Sequence, residues 1–255
     1  MKRYRWLVAL GIGAVLAFAL ATLPAGIAAG QLGRFGIRAT SYDGSVWSGR
    51  AAGLVVRDAP LGDLQWRLAP LALLRGRLAG HARLEGLGGT LETDFNAAFS
   101  GDVQLAATAF SFPAETLGGL PLGVPRGWRG RLTGAFTDIA LTAGWPTTVH
   151  GTLDMDDLVA PPPRNATVGS FHIVLPHPQP TGEASLPGHL TALVTDKNGP
   201  FAVSAQLSVA TDRSFLLEGT VAPRAAVPEG MQRSLDLLGP ADAAGRRPFS
   251  VSGTL

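Results

Sequence analysis

The chain has 255 residues, 46% of them hydrophobic and only 16% charged, with a formal net charge of +2. That length suffices for one large domain or two modest ones, each with its own core. Cys is absent, which excludes a disulfide framework and a thiolate metal site.

Lys2, Arg3 and Arg5 supply three of the positive charges, so everything after them carries a net charge of −1. Despite a pI near 9.5, no Lys/Arg cluster of nucleic-acid-binding density remains, and nucleic acid is not an expected partner. The 33 Gly and 19 Pro make up about a fifth of the chain. Such a composition favours short strands and tight turns over long helices.

Taken in chain order, residues 1–5 read as a cytoplasmic tail, 6–27 as a transmembrane anchor, 28–40 as a linker and 41–255 as an exported β-rich domain. No charged residue occurs from Trp6 to Gln31, and Trp6–Leu23 is almost continuously apolar. As a helix, that stretch would rise about 27 Å, close to the thickness of a bilayer's hydrocarbon core. The cations before it set the N-terminus on the cytoplasmic side, with Tyr4 and Trp6 at the interface. The rival reading is a cleaved signal peptide with its small residues in "GIAAGQ" (26–31). An apolar region of roughly 7–15 residues is usual there, so the longer run favours the anchor. Small residues at 9, 13, 17, 21, 25 and 29 form a stripe on which another membrane helix could pack.

Past residue 40 the dominant period is two. Leu78, Gly80, Ala82 and Leu84 alternate with Arg77, Ala79, His81 and Arg83. Val149, Gly151, Leu153 and Met155 do so with His150, Thr152, Asp154 and Asp156. The pattern returns from Phe201 to Ala210 and from Phe249 to Leu255. Alternation of this kind predicts strands with one dry and one wet face, hence an all-β, mainly antiparallel sheet. Between the strands, "PAETLGG" (113–119) predicts about one helical turn, and "APPPRN" (160–165) a loop or edge. "PEGMQRSLDLLG" (228–239) predicts a helix with Met231, Leu235 and Leu238 on one face and Gly239 as its stop.

"WSGRAAG" (47–53) is echoed by "WRGRLTG" (128–134). Trp66 and Gly76 follow the first copy as Trp145 and Gly151 follow the second. The shared order predicts two related β-units, about 41–120 and 121–255. Trp47, Trp66, Trp128 and Trp145, with Gly49 and Gly130, stand at Gly corners or within alternating strands. Large aromatics there most often plug the ends of a sheet core, and the competing reading is an exposed contact anchor. The strand faces are rich in Gly and Ala, which fill space poorly, and one covering helix is short for a sheet of many strands. A curved sheet with a partly open apolar face, capped near the C-terminus, is therefore expected.

The search for chemistry finds little. His150, Asp154 and Asp156 could share a strand face as metal ligands, but that spacing is equally that of a solvated outer face. His172 and His177, five apart with Pro176 between them, would not share one. "DMDD" (154–157) lacks the Gly and final Glu of a calcium loop. "NAT" (165–167) is a formal glycosylation acceptor. There is no nucleophile elbow and no P-loop. No catalytic residue, cofactor or metal site is assigned.

The motifs do resemble one family. "GSVWSGRAAGL" (44–54), "LGDLQWRLAPLALLRGRL" (61–78) with its Pro70 and Gly76, and the closing segment from "FLLEG" (215–219) through Gly239 to "SGTL" (252–255) resemble the type II secretion system protein N family. That resemblance implies a single-pass inner-membrane protein with a periplasmic β-rich domain. It implies a non-enzymatic accessory subunit whose partners are the secretin and the inner-membrane components of the secretion machinery. The family is also distantly similar to AsmA-like proteins, which implies an alternative, a lipid-contacting or lipid-transfer module with an apolar groove.

Overall fold

The computed structural model describes residues 23–26, 33, 36–56, 59–119, 126–163, 165–176, 190–224, 235 and 238–254. The expected membrane helix lies outside the described residues except at Leu23–Gly26, as do Met231, His177 and His189. Among the described residues no helix is long and apolar enough to cross a membrane.

The strands are β1 (Ile37–Arg38), β2 (Ser41–Gly44), β3 (Ser48–Val56), β4 (Ala59–Leu68), β5 (Arg77–Gly86), β6 (Gly89–Ala98) and β7 (Val103–Pro113). They continue as β8 (Arg129–Thr142), β9 (Trp145–Val159), β10 (Thr167–Leu175), β11 (Leu190–Asp196), β12 (Phe201–Val209), β13 (Ser214–Pro223) and β14 (Arg247–Thr254). From β3 to β14 each strand pairs antiparallel with the next in sequence, while β1 and β2 share the outer edge of β3. Among the described residues the result is one open antiparallel sheet of 14 strands. The all-β, antiparallel expectation holds. β7 and β8, from the two halves marked by the Trp echo, are hydrogen-bonded along Val103–Pro113, so the sheet runs through both.

Period two explains the sheet's two faces. Directly opposed residues share a face, so the register traces a row from strand to strand. One row runs Ala51, Leu64, Leu84, Leu91, Phe110, Gly134, Leu153, Ile173, Val194, Ala205, Gly219 and Phe249. It crosses every strand from β3 to β14 without a polar side chain. The reverse face carries Arg50, Gln65, Arg83 and Glu92 at one side and Gln206, Glu218 and Ser250 at the other.

Turns are short where the hairpins are long. β8 and β9, of 14 and 15 residues, are joined through Ala143 (φ +51°) and Gly144 (φ +77°). β5 and β6 turn through Leu87 (φ +55°) and Gly88 (φ +76°). Two consecutive left-handed residues give the turn whose twist matches that of the flanking strands. Register shifts interrupt the β3–β4, β6–β7, β8–β9 and β9–β10 ladders. Such bulges bend a strand and raise its local twist.

Little covers the apolar face among the described residues. No large side chain there is fully buried, and Ala51, Ala114, Ala160, Ala192 and Ala205 make up much of the core. A buried cluster gathers Ala114, Leu132 and Leu158 with the partly buried Phe110, Trp128, Met155, Val168 and Phe171 around them. Its member Ala114 opens a 3₁₀ helix (Ala114–Gly119), where about one helical turn was expected at 113–119. The expected loop at 160–165 separates β9 from β10. Near 228–239 the described residues are Leu235, Leu238 and Gly239. Leu235 is buried, but Leu238 is 40% exposed, which corrects the expectation that both dock on one face. Gly239 has a φ of +96°, the left-handed stop expected of it.

Candidate functional site

The four Trp residues among the described residues occupy different settings. Trp47 precedes β3, and its carbonyl accepts from Leu68 N at 2.6 Å. Trp66, near the end of β4, lies over Gly49 and donates its indole N–H to the Val46 carbonyl at 2.8 Å. A Cβ on Gly49 would fall 2.6 Å from the Trp66 ring, so only glycine leaves room for that ring. Trp128 precedes β8 as Trp47 precedes β3, but at the opposite end of the sheet, against the Leu132 cluster. Trp145 opens β9 with the Arg213 guanidinium 5.7 Å from its ring centroid. All four are half-buried. Gly130 (φ +133°) sits where β8 slips its register against Asp156–Leu158, and a Cβ there would meet the Asp156 carbonyl at 2.7 Å.

Pro70 and Gly76 bracket an element that the sequence did not announce. Pro70 opens a one-turn helix, α1 (Pro70–Leu73), where its missing N–H is no loss. Gly76 (φ +69°) then turns the chain into β5.

The charged residues pair across strands of the polar face. His81 Nδ1 lies 2.9 Å from Asp94, and His172 Nδ1 2.9 Å from Asp154. His150 stands 3.8 Å from Asp138. Lys197 reaches both Asp154 (3.1 Å) and Asp156 (2.8 Å). Burial works to raise Asp154, but hydrogen bonds from His172 and Lys197 outweigh it and hold the carboxyl below its usual range. Asp156 and Asp154 together push the Lys197 ammonium up. The His150, Asp154 and Asp156 set is thus not brought together. The two carboxylates close on an ammonium, and His150 turns to another partner. Among the described residues no group of three His, Cys, Asp or Glu could hold a metal ion.

Two further contacts manage polarity on or beside the apolar face. Thr93 and Thr108, both buried, hydrogen-bond each other at 2.7 Å. Asp196, opposite Phe171, accepts from Val203 N at 2.8 Å, with Arg224 2.5 Å from its other oxygen. At the β3–β4 edge, Asp63 takes the Arg50 guanidinium and accepts from Gly53 N at 2.9 Å, bonds that lower its carboxyl. Sequence reasoning missed Lys197, Asp63, Thr93 and Thr108. Their partners lie 10 to 43 residues away, and strand register alone brings them together.

This sheet is matched by a family model described as type II secretion system (T2SS), protein N, over residues 36–250. A type II secretion system protein N of Vibrio cholerae serotype O1 is 26% identical over 228 residues, covering 86% of each chain. Another from Aeromonas hydrophila is 26% identical over an alignment of 272 positions, covering all of both chains. No solved structure matches. The chain belongs to the type II secretion system protein N family.

Proposed function

We propose that this chain is a non-enzymatic accessory subunit of the type II protein secretion machinery. An N-terminal helix holds it in the inner membrane, and its sheet projects into the periplasm to make protein–protein contacts. The family match supports the reading because it spans the sheet from before β1 into β14 rather than one motif. In vivo cross-linking tests it. Adducts with the secretin or with inner-membrane secretion subunits are the expected result, and cross-links to neither would overturn it.

The unbroken apolar row across β3–β14 favours a second reading, that the sheet also contacts lipid. A face of that extent costs free energy while it stays wet, and acyl chains could cover it without any polar partner. Native mass spectrometry of protein extracted from membranes should then show bound lipid. A lipid-free protein with full secretion activity would leave only the first reading.

A further inference from the structure

Exposed apolar side chains gather at the end of the sheet where Leu23 meets Val46. Leu71 and Leu74, in and just after α1, are 75% and 84% exposed, and Phe99, in the β6–β7 turn, is 75% exposed. Phe99 N donates to the Gly76 carbonyl at 3.2 Å, which brings that turn against the loop following α1. Arg75, in that loop, and Arg77, the first residue of β5, are both exposed, with Asp102 the acid of the β6–β7 turn. Solvent-facing leucine and phenylalanine beside arginine make no sense as a core. They match a surface whose apolar tips enter acyl chains while guanidinium groups meet phosphates.

The position of the N-terminal segment selects the occupant. Leu23, last residue of the apolar run, accepts from Val46 N at 2.9 Å, and Pro24 bridges Ser45. Trp47, next in the chain, bonds Leu68, two residues before α1. The strand ends bearing Leu71, Leu74 and Phe99 are therefore those at which the apolar run reaches the sheet. We infer that this end docks on the bilayer that holds the N-terminal helix, with Leu71, Leu74 and Phe99 inserted among acyl chains and Arg75 and Arg77 at anionic headgroups. The inference rests on the membrane-anchor reading. It sets the strands running away from the membrane, and β9, at fifteen residues, would reach about 50 Å from it.

The chain has no Cys, so single labelling sites can be introduced without background. The full-length protein is reconstituted in nanodiscs of phosphatidylcholine and phosphatidylglycerol with acyl-brominated lipid as quencher. An environment-sensitive dye is placed in turn by Leu71→Cys, Leu74→Cys and Phe99→Cys. Asn198→Cys, at the far end of the sheet, is the negative control, and Ala14→Cys reports on the anchor. The expected result is quenching and a blue shift at 71, 74, 99 and 14, and neither at 198. Quenching at 14 without quenching at 71, 74 and 99 overturns the docking surface but leaves the anchor. Quenching at 71, 74 and 99 without quenching at 14 overturns the anchor and leaves the docking surface. If neither set is quenched, both fail.

Discussion

Thr93 and Thr108 lie on adjacent strands of the apolar face, and each buried hydroxyl finds its partner in the other at 2.7 Å. The pair shows how this face tolerates polarity: the hydroxyls cancel each other. Removing one leaves a buried hydroxyl short of its partner, whereas removing both leaves two apolar groups of similar shape. Thr93→Val should destabilise the protein by about 1–3 kcal/mol, and Thr93→Val with Thr108→Val by less. Urea midpoints of the full chain in detergent measure both. A double variant weaker than either single one would contradict this account.

Gly49 and Trp66 give a steric prediction. A methyl group at Gly49 would come within 2.6 Å of the Trp66 ring and 2.7 Å of the Asp43 carbonyl. The ring cannot swing freely, because its N–H is fixed to Val46. Gly49→Ala should cost about 1–3 kcal/mol, as overpacking does. An unchanged urea midpoint would show that the ring has room to move.

The Asp154, Lys197 and Asp156 cluster sets a pH window. Asp154 is depressed in the folded chain, so its contribution is present above its unfolded pKa, about 3.9, and fades as pH falls through the folded value. Lys197 is raised, so its contribution is complete below its unfolded pKa, about 10.4, and fades as pH rises through the folded value. Lys197→Met should therefore narrow the stability difference from wild type below about pH 4 and above about pH 10.4. Exposed pairs are screened, so the effect should also shrink in high salt. A difference independent of both pH and salt would mean that Lys197 acts through packing.

Much of the sheet was legible because period two is a local signal. The runs at 77–84, 149–156 and 201–210 fall within β5, β9 and β12 but for Ala210. Cross-strand partnership was not legible. Residues two apart along a strand lie about 7 Å from each other, whereas directly opposed residues are about 5 Å apart. Spacing along β9 therefore grouped His150 with Asp154, while register gave His150 to Asp138 and Asp154 to His172. The Trp echo was half legible. Trp47 and Trp128 both stand just before a strand, but Trp66 lies near the end of one and Trp145 opens one. Helix α1 escaped notice because a four-residue turn leaves no periodicity to read.

The most direct measurement is the distribution of a folded exoprotein between periplasm and medium in a strain deleted for this chain and complemented with it. The account predicts periplasmic retention on deletion, or loss of a partner subunit, with recovery on complementation. Full secretion and intact assembly of the machinery in the deleted strain would contradict it.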